Sequence, residues 1–304
     1  MVGAYGAEYG TLGTVTSSPS PHVPSPAELR DVGANIRLVA VDMDGTLLDA
    51  EHAVPDSIWP LITELGRRGI LWCPASGRQY ATLARDFERA EAEVVVIAEN
   101  GAFVVRDGVE ISSDVVATSA VVDAVQVGRR LRDDGLPVGT VVCGKRTAYI
   151  ESDDEDFRAE VDRYYAEVTT VDDLLAVDDE VLKIALHDAG PVAETTYPAL
   201  AHLTETYQVV ISGAHWVDVM NVGTHKGAAL EAVQRSLGIS REETVAFGDY
   251  LNDMELLGAA GISFAMANAH PRIQATARFG APANTEDGVA RILAGLLGMD
   301  LVPR

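Results

Sequence analysis

Short apolar segments alternate along this chain with stretches in which apolar residues recur every three or four positions. Residues 36–41 form an apolar run that ends at acidic residues, as a buried parallel strand does. Residues 55–65 then place apolar side chains on one helical face, and the pattern stops at Gly69. The same alternation returns over residues 226–297. It predicts an α/β fold, a Rossmann-like doubly wound parallel sheet covered by helices.

The middle of the chain has a different pattern. Helical and strand-like segments there follow one another as helix, two strands, helix, strand, helix and strand, which predicts an inserted α+β domain with an antiparallel sheet. We therefore predict a discontinuous core domain over 35–113 and 216–300, interrupted by a cap domain over 114–215. In the core, strand-like runs end near positions 73, 98, 247 and 265, and a last helix spans about 287–297.

Both ends of the chain are set apart by composition. Residues 1–34 are rich in Gly, Ser, Thr and Pro and have little to bury, which predicts a flexible N-terminal tail. The last four residues, LVPR at 301–304, resemble the remnant of a cleaved tag. Positive charge is absent before Arg30, so a secretory leader is not indicated, and we predict a cytoplasmic protein.

Charge and cysteine content narrow the class of protein further. The chain has 23 Lys and Arg against 46 Asp and Glu, a net charge of −23. Such a surface repels nucleic acid and anionic lipid, so we predict neither a nucleic-acid partner nor a membrane partner. No apolar run approaches the length of a membrane span. Two cysteines are too few for a disulfide framework or a zinc cage.

Two carboxylates follow the first predicted strand directly. Asp42 and Asp44 lie two residues apart, so an extended chain points both to the same side. Open α/β sheets place their ligands at this end of the strands. Like charges this close require a cation or a shared proton. Taken alone, the pair is equally typical of a turn at the end of a strand.

Three more polar groups follow other predicted strands. They are Ser76 in ASGR at 75–78, Lys226 at the start of a helix, and the acids and amide of GDYLND at 248–253. Each alone is explained by a helix cap, a solvated cation or a turn. Together they suit a Mg²⁺ site beside a phosphate, because oxygen ligands without His or Cys favour that ion. One carboxylate could then attack phosphorus while another protonates the leaving oxygen.

Six segments in order along the chain resemble those of the haloacid dehalogenase-like hydrolases, specifically the Cof-type sugar-phosphate phosphatases with a class IIB cap. They are DMDGTLLD at 42–49, ASGR at 75–78, ENGA at 99–102, HKGAAL at 225–230, GDYLND at 248–253 and MANAH at 266–270. The resemblance spans about residues 37–297. It implies a phosphatase that hydrolyses small phosphate monoesters, such as sugar phosphates, with Mg²⁺ as cofactor.

The resemblance also implies a role for each matching position. Asp42 would be the nucleophile that becomes a phosphoaspartate, and Asp44 would protonate the leaving alkoxide and then activate water. Mg²⁺ would be held by the Asp42 carboxylate, the Asp44 backbone carbonyl and Asp249. The phosphate ligands would be the amides of Met43 and Gly77 with the side chains of Ser76, Lys226 and Asn252. Asp253 would orient Lys226 or a metal-bound water.

Two alternatives to hydrolysis stay open from the sequence. A phosphomutase or phosphotransferase would use the same aspartyl-phosphate, and a catalytically inactive protein would use the fold only to bind a partner. His225 beside Lys226 departs from the expected motif and is either a substrate contact or an exposed loop histidine. The oligomeric state and the identity of the substrate are not indicated.

Overall fold

The computed structural model describes residues 21–152 and 154–300. The helices are α1 Pro26–Val32, α2 Trp59–Arg67, α3 Tyr80–Asp86, α4 Thr118–Asp133, α5 Glu155–Tyr164, α6 Thr196–Ala199, α7 Lys226–Leu237, α8 Met254–Ala259, α9 Pro271–Thr276 and α10 Gly288–Leu297. The strands are β1 Leu38–Asp42, β2 Leu71–Ala75, β3 Val95–Ala98, β4 Phe103–Arg106, β5 Val109–Ser113, β6 Val138–Gly144, β7 Ala148–Ile150, β8 Val168–Thr170, β9 Val181–Asp188, β10 Tyr207–Gly213, β11 Trp216–Asn221, β12 Thr244–Gly248, β13 Ile262–Met266 and β14 Phe279–Ala281. The predicted tag remnant and residues 1–20 of the predicted tail lie outside the described residues.

An eight-stranded sheet in the order β14-β13-β12-β1-β2-β3-β4-β5 carries the first and last parts of the chain. Strand β1 pairs in parallel with β12 on one side and with β2 on the other, and β4 runs antiparallel to β3. All five residues of β1 are buried, as are those of β2, β12 and β13. The predicted fold class, a parallel α/β sheet with an additional α+β domain, is confirmed.

The chain reverses direction of progress at β1, since β2 and β3 extend the sheet to one side and β12 to β14 extend it to the other. Such a switch point opens a crevice at the carboxyl ends of the central strands. Asp42 is the last residue of β1 and lies beside Ala75 of β2 in the parallel register. On the other side Val41 lies beside Phe247 of β12. The sheet therefore brings three motif-bearing loops to the same edge.

Residues 113–224 form a second compact unit around a six-stranded sheet in the order β10-β11-β9-β6-β7-β8. The pairs β10–β11, β11–β9, β9–β6 and β6–β7 are antiparallel, as the sequence predicts. Helix α4 buries Val121 and Val125 in the same cluster as Ile184 and Leu186 of β9. Apolar residues at helical spacing on α4 thus supply one layer of this unit's core.

The structure corrects two elements near the end of this unit. We predicted residues 216–221 as part of the core domain, but they form β11 between β10 and β9. The segment is apolar and strand-like, and only its antiparallel pairing reveals which sheet it joins. We also predicted one helix over 192–205, whereas α6 is limited to four residues and residues 201–203 form a 3₁₀ turn. Pro198 lacks a backbone N–H and interrupts that helix.

Part of the predicted tail is folded. Ser25 and Glu28 form a capping box, in which the Ser25 backbone N–H donates to Glu28 Oε2 at 2.8 Å and starts α1. Leu29 of α1 is buried and packs directly against Gly295 of α10, where a β-carbon would clash with the leucine side chain. The prediction of a flexible tail is therefore wrong for residues 26–32.

None of the helices in the part of the chain that the structure describes is both long and apolar enough to cross a bilayer.

Candidate active site

Lys226, the first residue of α7, is buried between two carboxylates. Its Nζ donates to Asp42 Oδ1 at 2.6 Å and to Asp253 Oδ1 at 2.7 Å. Lys226 is 1% exposed and Asp253 is fully buried. Burial alone would lower the pKa of Lys226, but the charges of Asp253 and Asp42 outweigh it and raise that pKa. The lysine is thus held as a cation at the end of the central strand.

His225 has a defined role at the start of the same helix. Its Nδ1 accepts a hydrogen bond from the Ala228 backbone N–H at 3.0 Å, so it is the N-cap of α7. This answers the question that the sequence left open, because the ring is partly buried and acts as a helix cap. A β-carbon on Gly227 would clash with the carbonyl of Glu255, so α7 and α8 approach closely here. These contacts fix the backbone from which Lys226 extends.

The loop after β12 interlocks with the loop after β1. Asp253 Oδ2 accepts the backbone N–H groups of Asp249 at 3.0 Å and Tyr250 at 3.2 Å. Thr46 Oγ1 donates to Asp249 Oδ1 at 3.0 Å. Gly45 has φ of +80°, and a β-carbon there would clash with Asp249 Oδ2. Glycine is required at this position both for its backbone angle and for the space that Asp249 occupies.

Three carboxylates form a group that can hold a metal ion. Asp42, Asp249 and Asp253 each offer one oxygen, and these oxygens lie within 4.8 Å of one another. Burial and the charge of Asp253 raise the pKa of Asp42 well above its usual range, and the same two causes raise the pKa of Asp249 to about 6. A divalent cation would relieve this repulsion, and an all-oxygen set suits Mg²⁺. The residues present therefore fit the metal that the sequence predicts.

The Asp44 carboxylate is turned towards a different partner. Arg78 donates to it through Nε at 3.0 Å and Nη2 at 2.6 Å, and His52 Nδ1 lies 3.5 Å from Asp44 Oδ1. Burial would raise the pKa of Asp44, but the hydrogen bonds and charge of Arg78 outweigh burial and lower it. The predicted proton donor is thus stabilised as a carboxylate.

The predicted phosphate ligands lie at the ends of neighbouring strands. Ser76 follows β2 directly and is buried, and its Oγ accepts the Arg78 backbone N–H at 3.2 Å. The Met43 side chain is fully buried in the core, so only the backbone amide that we predicted is relevant to a ligand. Asn252 donates to Asn100 Oδ1 at 3.4 Å.

Three residues at this site received no role from the sequence. They are Arg78, Asn100 and Asn268, and each stands inside a segment that resembles a family motif. Asn268 Nδ2 donates to the carbonyl of Gly45 at 2.7 Å, and its Oδ1 accepts the Asn284 backbone N–H at 3.1 Å. Asn268 therefore ties the loop after β1 to the loops after β13 and β14. Their positions inside the motifs were the available signal, but the motifs alone do not give their partners.

The fold and this group of side chains define an α/β protein with an acidic, lysine-bridged site at the switch point of a parallel sheet. The chain belongs to the haloacid dehalogenase-like hydrolases, whose family model matches residues 39–293. The family predicted from the six motif segments is confirmed.

Two curated relatives cover nearly the same part of the chain. It is 30% identical over 266 residues to the 5-amino-6-(5-phospho-D-ribitylamino)uracil phosphatase YbjI of Escherichia coli, covering 86% of this chain and 97% of the relative. It is 28% identical over 269 residues to the phosphatase YitU of Bacillus subtilis, which carries the same enzyme name, covering 84% of this chain and 96% of the relative. The predicted enzyme class, a phosphatase, is confirmed by the family and these relatives.

A solved structure supports the architecture. A subclass IIB sugar phosphatase of the same superfamily aligns with a TM-score of 0.68 and 23% identity, covering 84% of this chain and 96% of that chain. At this identity the likeness shows the fold. It agrees with the class IIB architecture that the motifs predict.

Proposed function

We propose that this phosphatase is a Mg²⁺-dependent hydrolase of small phosphate monoesters that works through an aspartyl-phosphate on Asp42. The observation that carries the proposal is the buried bridge of Lys226 between Asp42 and Asp253, with Asp249 beside it. This arrangement keeps a nucleophilic carboxylate at a strand end and supplies positive charge where a phosphate would arrive.

Two displacements at phosphorus make up the reaction. An oxygen of Asp42 attacks phosphorus, the bond from phosphorus to the ester oxygen breaks, and Asp44 gives its proton to the departing alkoxide. Water then attacks the phosphorus of the acyl phosphate and gives a proton to Asp44. The bond to Asp42 breaks, which releases inorganic phosphate and restores both carboxyl groups.

Positive charge at this site comes from Lys226 and from the metal. Mg²⁺, held by the carboxylates of Asp42 and Asp249 and the backbone carbonyl of Asp44, would neutralise charge on the phosphoryl oxygens. Asp253 keeps Lys226 in place through its 2.7 Å hydrogen bond. The buried lysine cannot reorient freely, so its charge is preorganised for the transition state.

The pairing of Asp44 with Arg78 assigns that carboxyl group an order of events. Arg78 favours the ionised form of Asp44, which is the form that accepts a proton from water in the second displacement. The first displacement needs the protonated form. We therefore expect Asp44 to leave Arg78 when substrate binds, and to return as a base.

The leaving group is read by residues 113–224, which we propose to be a cap domain. The names of the curated relatives point to a phosphorylated ribitylamino-pyrimidine and those of the solved structures to sugar phosphates. We propose cytoplasmic metabolites of these two kinds as the substrates. Both carry a single phosphate on a hydroxylated carbon chain, the group that the core site accommodates.

The test is a screen for phosphate release over a panel of metabolite monophosphates, with Mg²⁺ and with a chelator. Hydrolysis predicts one inorganic phosphate for each alcohol product and loss of turnover when the metal is removed. An isomerised phosphate ester without free phosphate would instead indicate a phosphomutase. No turnover, together with no Mg²⁺ binding by calorimetry, would indicate an inactive binding protein.

A further inference from the structure

The segment after β3 has an unusual backbone. Glu99 has φ of +49°, Asn100 of +55° and Gly101 of +105°, three left-handed residues in succession. Two of them carry side chains, for which this region is sparsely populated and costs free energy. Such conformations persist where the surroundings enforce them, and they cluster at sites of function.

Contacts on both sides enforce this conformation. The Asn100 backbone N–H donates to the Ser76 carbonyl at 2.9 Å, and that of Glu99 donates to the Arg78 carbonyl at 3.0 Å. On the other side, a β-carbon on Gly101 would lie 2.5 Å from the carbonyl oxygen of His225, the cap of the lysine-bearing helix. The segment is therefore held between the loop after β2 and the start of α7, two elements that carry predicted phosphate ligands.

The Asn100 carboxamide lies over the predicted phosphate ligands. Its Oδ1 is 3.4 Å from Asn252 Nδ2. A β-carbon on Gly77 would lie 2.9 Å from Asn100 Nδ2, so glycine at 77 leaves the space in which that amide sits. The residue is partly exposed, unlike buried Ser76. An amide donor thus stands beside Ser76, Gly77 and Asn252 and faces a space that a ligand can enter.

We propose that Asn100 is a further substrate-binding residue, whose Nδ2 donates a hydrogen bond to an oxygen of the bound phosphate. The inference rests on the proposed function, because it requires phosphate at this edge of the sheet. Asparagine suits the position for two reasons: it tolerates the left-handed backbone better than most residues, and it supplies a neutral donor. The strained segment then serves to aim that donor.

Two substitutions separate a donor from a structural role. Asn100→Gly keeps the backbone accessible and removes the amide, and Asn100→Asp keeps the shape and the acceptor for Asn252 but replaces the donor with a negative charge. The measurement is the Ki of inorganic phosphate as a competitive inhibitor of p-nitrophenyl phosphate hydrolysis, with thermal unfolding as the control for folding. A donor role predicts a Ki raised about tenfold in the glycine variant, the scale of one hydrogen bond to a charged group. It predicts a larger increase in the aspartate variant, because the new carboxylate repels phosphate.

The opposite order overturns the inference. If Asn100 only accepts a hydrogen bond from Asn252, the aspartate variant will match the wild type and the glycine variant will be the weaker. Should the aspartate variant not fold, Asn100→Gly in an Asn252→Ala background decides the question: a donor predicts a further loss of phosphate affinity, and a mere acceptor predicts none. A wild-type protein that hydrolyses no monoester refutes the proposed function, whereas an active wild type with the opposite order refutes only the role of Asn100.

Discussion

Metal-free protein should lose stability as the pH rises through the titration of Asp249. Burial and the neighbouring charge of Asp253 raise the pKa of this carboxyl group from its usual 3.8 to about 6. Between those values the folded state keeps a proton that the unfolded state has released, so the folded state is favoured at the acidic end. Stability from this group is therefore lost as the pH rises from about 4 to about 6, and it stays low above that range.

The shift sets the size of the effect. A difference of roughly 2 pKa units corresponds to about 3 kcal/mol. Asp42 changes in the same direction, because its pKa is also raised by burial and by Asp253. Replacing Asp249 by asparagine removes one of the titrating groups. In the presence of chelator we expect the variant to gain about 3 kcal/mol relative to the wild type between pH 4 and pH 7.

Urea unfolding in chelator at pH 4 and pH 7 measures this difference, and Asp56→Asn serves as the matched control because its side chain is 91% exposed. Saturating Mg²⁺ at pH 7 should then stabilise the wild type more than the Asp249→Asn variant, since the metal binds only the folded site. A difference between wild type and Asp249→Asn that stays constant from pH 4 to pH 7 would refute the reasoning. So would a variant that Mg²⁺ stabilises as strongly as the wild type.

Three further substitutions test neighbouring parts of the account. Gly45→Ala should lower both Mg²⁺ affinity and kcat by at least tenfold, since a β-carbon clashes with Asp249; an alanine variant with wild-type Mg²⁺ activation would contradict this. Arg78→Gln should move the acidic limb of the pH–rate profile to higher pH, because Asp44 loses the partner that lowers its pKa; an unmoved limb would argue against it. Leu29→Ala should cost about 2–3 kcal/mol in urea unfolding without changing kcat, and an unchanged unfolding midpoint would show that α1 adds nothing.

The fold was accessible to sequence reasoning because its strands are apolar and its helices amphipathic. Helix α7 occupies the residues predicted for it, and β1 ends at the predicted acid. Pairing is harder to predict than periodicity. Residues 216–221 are equally apolar whether they join one sheet or the other, so only their antiparallel contacts place them. The capping box that starts α1 was visible at Ser25 and Glu28, but the composition of the surrounding segment obscured it.

For the site, the motif spacing led to the residues but not to their partners. Strand ends that meet at one edge brought Asp42 and Asp249 together, and the lysine reached them as its position at a helix start suggested. The pairing of Asp44 with Arg78 depends on side-chain directions that no spacing encodes. The same holds for Asn100, whose position follows from a left-handed backbone for which its own sequence gives little signal.

Hydrolysis of p-nitrophenyl phosphate by Asp42→Asn, with Mg²⁺ present, tests the central claim most directly. This substitution keeps the shape of the side chain at the end of β1 and removes the nucleophilic carboxylate. Covalent catalysis through Asp42 predicts a loss of turnover by several orders of magnitude in a protein that still folds and still binds phosphate. Turnover equal to that of the wild type would contradict the aspartyl-phosphate mechanism and the assignment of this group as the active site.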